Sequence, residues 1–269
     1  MPPGADVCTE CAADPFAMED ARGRVGANGH LDRLSRLYDA KYAYLREGHV
    51  GRLWEDTLLG DKDSIPEHTA WRNVESVKLV PPTARRILEI GPGLGYAIPL
   101  LRERCPSAEY YAVDLSEKTI ESLSRRHQGH FAVAPIEDLP WKDVKFDAIL
   151  MLEVLEHIEA PRTFGVLSAL RERLSENGVL ILSVPLREDL RRSYFVCAHC
   201  GKYLHQIGHL RSYTPELVKS ELRSSGYVVD AVRPLAGGYY FGIRRQYLMP
   251  FFPKRVQPMN VIVRARAKQ

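Results

Sequence analysis

Leu88-Glu89-Ile90-Gly91-Pro92-Gly93-Leu94-Gly95-Tyr96 decides the fold: a short aliphatic strand runs into three alternating glycines and then into helical spacing from Ala97. Glycine tolerates a sharp turn and lets backbone amides approach a ligand beside a helix N-terminus. Asp114 closes the next strand, 19 residues after Gly95, where a carboxylate accepts hydrogen bonds from both hydroxyls of a ribose. The two signals together point to an adenosine-type cofactor. A dinucleotide fingerprint would put its third glycine at position 96, which is Tyr96, so nicotinamide binding is disfavoured. Glu89 argues the same way, because an acid before the loop suits a cationic amino group and repels a pyrophosphate.

Outward from this loop, short β-branched or aliphatic runs alternate with helical stretches. Strands are expected at Arg86–Ile90, Tyr110–Asp114, Phe131–Ala134, Phe146–Leu152, Val179–Val184, Tyr227–Val232 and Asn260–Ala265. Helices are expected at Ala97–Glu103, Glu117–Arg126, Phe164–Leu174 and Pro215–Ser224. Strands alternating with helices predict an α/β fold with a doubly wound, mostly parallel sheet. The domain is expected over 81–269, with two connections too long for simple crossovers, 186–213 and 233–258. Before it, 30–80 reads as a helical cap, with apolar residues at helical spacing from Leu31 and a second helix from His68 that ends before Pro81-Pro82. Residues 1–29 have no apolar period and read as a tail that is mobile unless a metal anchors it.

At 269 residues, 45% hydrophobic and 26% charged, the chain has the composition of a folded domain, and its net charge of +3 argues for neither a nucleic-acid nor a membrane partner. No run reaches the length of a membrane span, and the first 25 residues carry Asp6, Glu10, Asp14 and Glu19 in place of a signal-peptide core. A cytoplasmic location is the expectation. Four of the five cysteines form the pairs Cys8/Cys11 and Cys197/Cys200, a usage that suits zinc better than a disulfide framework. Cys197-x-x-Cys200-Gly201 followed by His205 and His209 spells a zinc-knuckle-like turn. Three arrangements stay open: Cys197 and Cys200 with His205, completed by a further ligand such as His209; a four-cysteine site with Cys8 and Cys11; or no metal.

LEIGPGLG, YYAVDLS, EDLPW, KFDAILMLEVLEHI and LSENGVLILSVP, in this order over residues 84–232, resemble the class I S-adenosylmethionine-dependent methyltransferases. The resemblance implies a seven-stranded sheet with a reversed final hairpin. It also implies that Glu89 and the backbone at Gly91, Gly93, Gly95 and Tyr96 hold the methionine part, Asp114 the ribose, Leu115 an adenine face and Ile136 the adenine edge, with Leu152 lining the same pocket. Pro135 stands where many relatives carry an acid for the adenine amine, which leaves adenine to backbone groups or to Glu137 and Asp138.

Glu153, Glu156 and His157 fall at i, i+3 and i+4 and are expected on one helical face. This EVLEH stretch is similar to one in ubiquinone-biosynthesis O-methyltransferases and small-RNA 2′-O-methyltransferases, whose corresponding residues bind a divalent ion. With His209, upstream of Tyr213-Thr214, the resemblance implies an O/N site for Mg²⁺ or Mn²⁺ that would acidify a substrate hydroxyl. The other reading has Glu153 and Glu156 lining the cofactor pocket or facing solvent, while His157 hydrogen-bonds a loop. In both, His157 and His209 suit positioning or proton transfer, and Glu153, His157 and His209 are the catalytic candidates.

The aromatic run from Tyr239 to Phe252 reads as a substrate grip or as packing at the sheet edge. The function expected is methyl transfer to oxygen or nitrogen of a small molecule, and the Arg- and Ala-rich composition suits bacterial specialised metabolism. Two rivals are a metal-dependent RNA 2′-O-methyltransferase and a non-methylating S-adenosylmethionine-binding regulator or zinc-mediated interaction protein.

Overall fold

In a computed structural model of the protein, residues 67–196, 203–205, 207–236 and 258–268 are described. The expected tail and first cap helix, Cys8, Cys11, Cys197, Cys200 and the aromatic run 239–252 lie outside them.

The run Ile87–Ile90 becomes β1 (Arg86–Ile90), buried at every position but the first. Apolar on both sides, it needs cover on both faces and both edges. Its edges pair in parallel with β2 (Glu109–Asp114) and β4 (Phe146–Leu152). Beyond them lie β3 (His130–Val133) and β5 (Leu174–Pro185), also parallel. β8 (Tyr227–Ala236) and β9 (Pro258–Ala267) complete a seven-stranded sheet of order β3-β2-β1-β4-β5-β9-β8, with β9 antiparallel to both neighbours. The parallel core and reversed final pair agree with the expected doubly wound sheet.

The alternation of side chains along each strand divides the core in two. Leu88, Ile149, Met151, Leu180, Leu182 and Val263 face one side. There they meet α4 (Ala160–Glu172), through Val166, Leu167 and Leu170, and α5 (Pro215–Ser224), through Val218 and Leu222. Ile87, Ala148, Leu150, Val179, Ile181 and Ile262 face the other side. Val77 of α1 (Glu67–Val77), Ile98 and Leu101 of α2 (Ala97–Arg104) and Leu123 of α3 (Glu117–Arg126) cover that side. Ser116 caps α3 by accepting from the Thr119 amide at 3.1 Å, and Thr214 caps α5 by accepting from the Leu217 amide at 3.2 Å.

The structure departs from the expectation in three ways. α4 begins at Ala160, four residues before Phe164, because Pro161 sits in the first turn, where its missing N–H costs nothing. β8 and β9 run longer than their apolar cores, since their antiparallel pairing continues through polar residues, and β5 starts earlier, where Leu174 pairs in parallel with Phe146 of β4. The long connection after β5 contains a small separate hairpin, β6 (Tyr194–Val196) with β7 (Tyr203–His205). The strand order reverses between β1 and β4, so their carboxyl ends border the crevice where open α/β sheets place ligands.

Candidate active site

At the tip of β1, Gly91, Gly93 and Gly95 have φ of 63°, 53° and 77°, a left-handed turn open to glycine without cost. The space is closed to side chains as well: a Cβ on Gly91 would lie 2.7 Å from Val154 Cγ2, and one on Gly95 2.6 Å from Leu123 Cδ2. The loop is thus a bare backbone cradle beneath α2.

Acids stand on both sides of it. Glu89 is buried, accepts a hydrogen bond from the Tyr110 hydroxyl at 2.5 Å, and is pushed up to about 7 by loss of solvation, against the pull of that bond. Asp114 accepts from the Ser116 amide at 2.9 Å. Burial raises its pKa, opposed by hydrogen bonds from the amides of Ser116, Leu115 and Gly93. Two carboxylates drawn out of water favour a positively charged ligand. Leu115 is exposed beside Asp114, Tyr96 and Ile136 are half-buried, and Leu152 is buried at the end of β4. Glu137 and Asp138 are exposed, Glu137 held by Arg162 and Asp138 by Lys142.

The EVLEH stretch does not form one helical face. Glu153 takes a left-handed backbone, φ 57°, and only then does a 3₁₀ turn follow at Leu155–His157. This kink turns Glu153 toward β5, β9 and α1. Its carboxylate accepts from Ser183 Oγ and Asn260 Nδ2, both at 2.7 Å, and lies 3.6 Å from Arg72 of α1. Glu156, His157 and His209 do converge, their ligand atoms within 4.8 Å of one another. Glu188, His205 and His209 form a second group of the same kind.

Hydrogen bonds assign the protons of these rings. His157 Nδ1 lies 3.0 Å from the Gly208 carbonyl, which only accepts, so Nδ1 carries the hydrogen and Nε2 the lone pair. His209 Nδ1 donates to Glu188 Oε2, which in the neutral ring puts its lone pair on Nε2, 3.8 Å from Glu156 Oε1. His205 is the reverse: its Nδ1 accepts the His209 amide at 3.1 Å, so its hydrogen sits on Nε2, facing Glu188 Oε1 at 3.7 Å. Glu156 is fully buried and neither carboxyl oxygen has a hydrogen-bond partner. Burial, reinforced by the Glu153 charge, pushes its pKa far up. Acceptor facing acceptor needs a positive charge between them, a proton or a cation.

Arg72, Ser183, Glu188 and Asn260 were not singled out by the sequence reading. Arg72, Glu188 and Asn260 belong to no quoted motif, Ser183 lies in one without being marked by it, and Glu188, just past the fifth strand where sites collect, carries a positional signal.

The methyltransferase-domain family matches residues 67–232, and the chain belongs to it. Among solved structures, the N-methyltransferase NodS from Bradyrhizobium japonicum, crystallised with S-adenosyl-L-homocysteine, is similar at TM-score 0.58 and 16% identity, covering 82% of this chain and 100% of that one. An S-adenosylmethionine-dependent methyltransferase from Clostridium acetobutylicum has TM-score 0.54 and 14% identity over 84% of this chain and 100% of its own. A curated, uncharacterized protein of Synechococcus is 33% identical over 106 residues, 37% of this chain, and the match spans a quarter (25%) of that relative's length. Among the described residues no helix is long and apolar enough to cross a membrane.

Proposed function

We propose that this chain is an S-adenosylmethionine-dependent methyltransferase that acts on oxygen or nitrogen of a small-molecule acceptor. The observation that carries the reading is the bare glycine turn bracketed by two desolvated acids, Glu89 and Asp114. S-adenosylmethionine supplies a methyl group on a cationic sulfur, ready for in-line displacement. Glu89 meets the amino group, Asp114 the ribose hydroxyls and Leu115 a face of the base. Pro135 offers adenine no acid, and the partners of Glu137 and Asp138 favour backbone groups for that task. Family membership and two structurally similar methyltransferases support the assignment. Calorimetry with S-adenosylhomocysteine tests it: Asp114→Ala and Gly93→Val abolish binding, the first through lost hydrogen bonds and the second by filling the cradle. Near-wild-type affinity in both defeats the placement, and a binder that never turns over is a regulator.

His157 and His209 present ring lone pairs beside Glu156 and are the proton acceptors for a protonated nucleophile. The same three groups fit a divalent cation. Two imidazoles and one carboxylate suit Mn²⁺ better than Mg²⁺, which prefers oxygen. Held there, the ion would acidify a hydroxyl. Convergence of Glu156, His157 and His209 favours this over a solvent-facing role, and it is the feature on which the RNA 2′-O-methyltransferase reading rests. Glu153 acts instead as an anchor. For zinc, the His205 lone pair is already taken by the His209 amide, which favours Cys8, Cys11, Cys197 and Cys200 over a set that includes His205.

A further inference from the structure

We infer that Glu188 is the positioning residue of the reacting centre: it takes the Nδ1 hydrogen of His209 and so keeps the His209 Nε2 lone pair aimed at Glu156. The inference rests on reading Glu156, His157 and His209 as the reacting groups. It adds a residue that no motif names, and it assigns opposite jobs to the two His/Glu groups.

The groups look alike in composition, but their donors and acceptors differ. On the Glu156 side the facing groups are the two Nε2 lone pairs and a buried carboxyl whose oxygens have no hydrogen-bond partner. On the Glu188 side His209 Nδ1 gives its hydrogen to one carboxylate oxygen, and His205 Nε2 stands 3.7 Å from the other. In the second group the Glu188–His209 pair is joined by a proton, and a metal there would have to displace both that proton and the His209 amide from His205. Glu188 therefore behaves as the outer carboxylate that fixes a ring's tautomer and orientation.

The backbone is built for that placement. Arg187 adopts φ 50°, and with Glu153 it is one of two non-glycine residues in the left-handed region among the described residues. Such a conformation costs on the order of 1–3 kcal/mol and persists where surrounding contacts enforce it. Here the Arg187 amide donates to the Tyr213 carbonyl at 2.8 Å, and Leu186 bridges Tyr213 in parallel. The turn ends the pairing of β5 and leaves the next side chain, Glu188, against His205 and His209. The rings are held from behind as well. They stack at 5.2 Å between centroids, and Tyr194 stands edge-on to His205 at 5.5 Å.

Free neutral histidine in water mostly carries its hydrogen on Nε2, so a histidine held as the Nδ1 tautomer is diagnostic. Long-range ¹H–¹⁵N correlation spectra of the full chain, purified with chelator, report which nitrogen of His209 is protonated. The expected result is Nδ1–H in the wild type, reversion to Nε2–H in Glu188→Ala, and return of Nδ1–H in Glu188→Asp. Glu188→Gln, isosteric but with one acceptor oxygen, is expected to lose the preference while keeping the wild-type melting temperature. Wild-type protein with the hydrogen on Nε2 overturns the inference, as does an unchanged tautomer in both Glu188→Ala and Glu188→Gln. S-adenosylhomocysteine titrated into the same samples separates the two readings: no binding to the wild type removes the cofactor assignment but leaves the tautomer result standing.

Discussion

Glu89 carries its own pH signature. Buried, it titrates at about 7 against an ordinary value of 4.5, so folding takes up a proton between these limits. Stability of the ligand-free chain is then greatest below about pH 4.5, as far as this group is concerned, and declines as pH rises through about 7. A ligand ammonium prefers the ionised carboxylate and reverses the balance. S-adenosylhomocysteine is expected to bind more tightly as pH rises through this window and to release a proton below its upper end. Calorimetry in buffers of different ionisation enthalpy measures that proton, and a pH-independent affinity contradicts the placement of the ammonium. The two acids were legible in the sequence, since Glu89 lies one residue before the end of the strand that enters the glycine turn and Asp114 closes the next strand. Their desolvation was not, because it depends on Tyr110 and on packing from elements distant in the chain.

At the scale of elements, the junction after β4 shows where pattern reading stops. Spacing alone puts Glu153, Glu156 and His157 on one face, but only a residue in helical backbone obeys helical spacing. Nothing in the residue type announces that a glutamate will sit at φ 57°. The strain is held by contacts with β5, β9 and α1, all remote in sequence. Glu153→Ala loses these contacts and keeps the strained backbone, whereas Glu153→Gly loses the contacts and relieves it. Glu153→Gly is therefore expected to be the more stable variant by about 1–2 kcal/mol, read from urea unfolding. The opposite order shows that position 153 does not keep a left-handed backbone. The β1 and β4 boundaries, by contrast, were readable directly, because central parallel strands are continuous apolar runs ended by loop residues.

The molecule as a whole divides into a sheet whose order was readable and a set of additions whose geometry was not. Alternation of strand and helix constrains topology strongly, and the crevice at the reversal of strand order follows from it. The β6–β7 hairpin escaped because three-residue strands carry no periodicity. Its chemistry yields a test on intact protein. Elemental analysis is expected to find zinc, lost in Cys8→Ser and in Cys197→Ser but retained in His205→Ala. Loss of zinc in His205→Ala, with Cys8→Ser unaffected, restores the ligand set that includes His205. Under the same analysis, added Mn²⁺ is expected to be held by the wild type and released by Glu156→Gln.

The Gly208 carbonyl receives His157, and the Leu210 amide donates to the Glu156 carbonyl at 2.9 Å. The insertion after β7 is therefore stitched to the turn that ends β4 at successive rungs, with the His209 ring between them. An acceptor molecule that pushes on this segment pushes on the proton-handling groups in the same motion. Changes of acceptor during the divergence of such enzymes would then tend to arrive with changes in rate, because the wall that selects the guest and the groups that act on it share one piece of backbone.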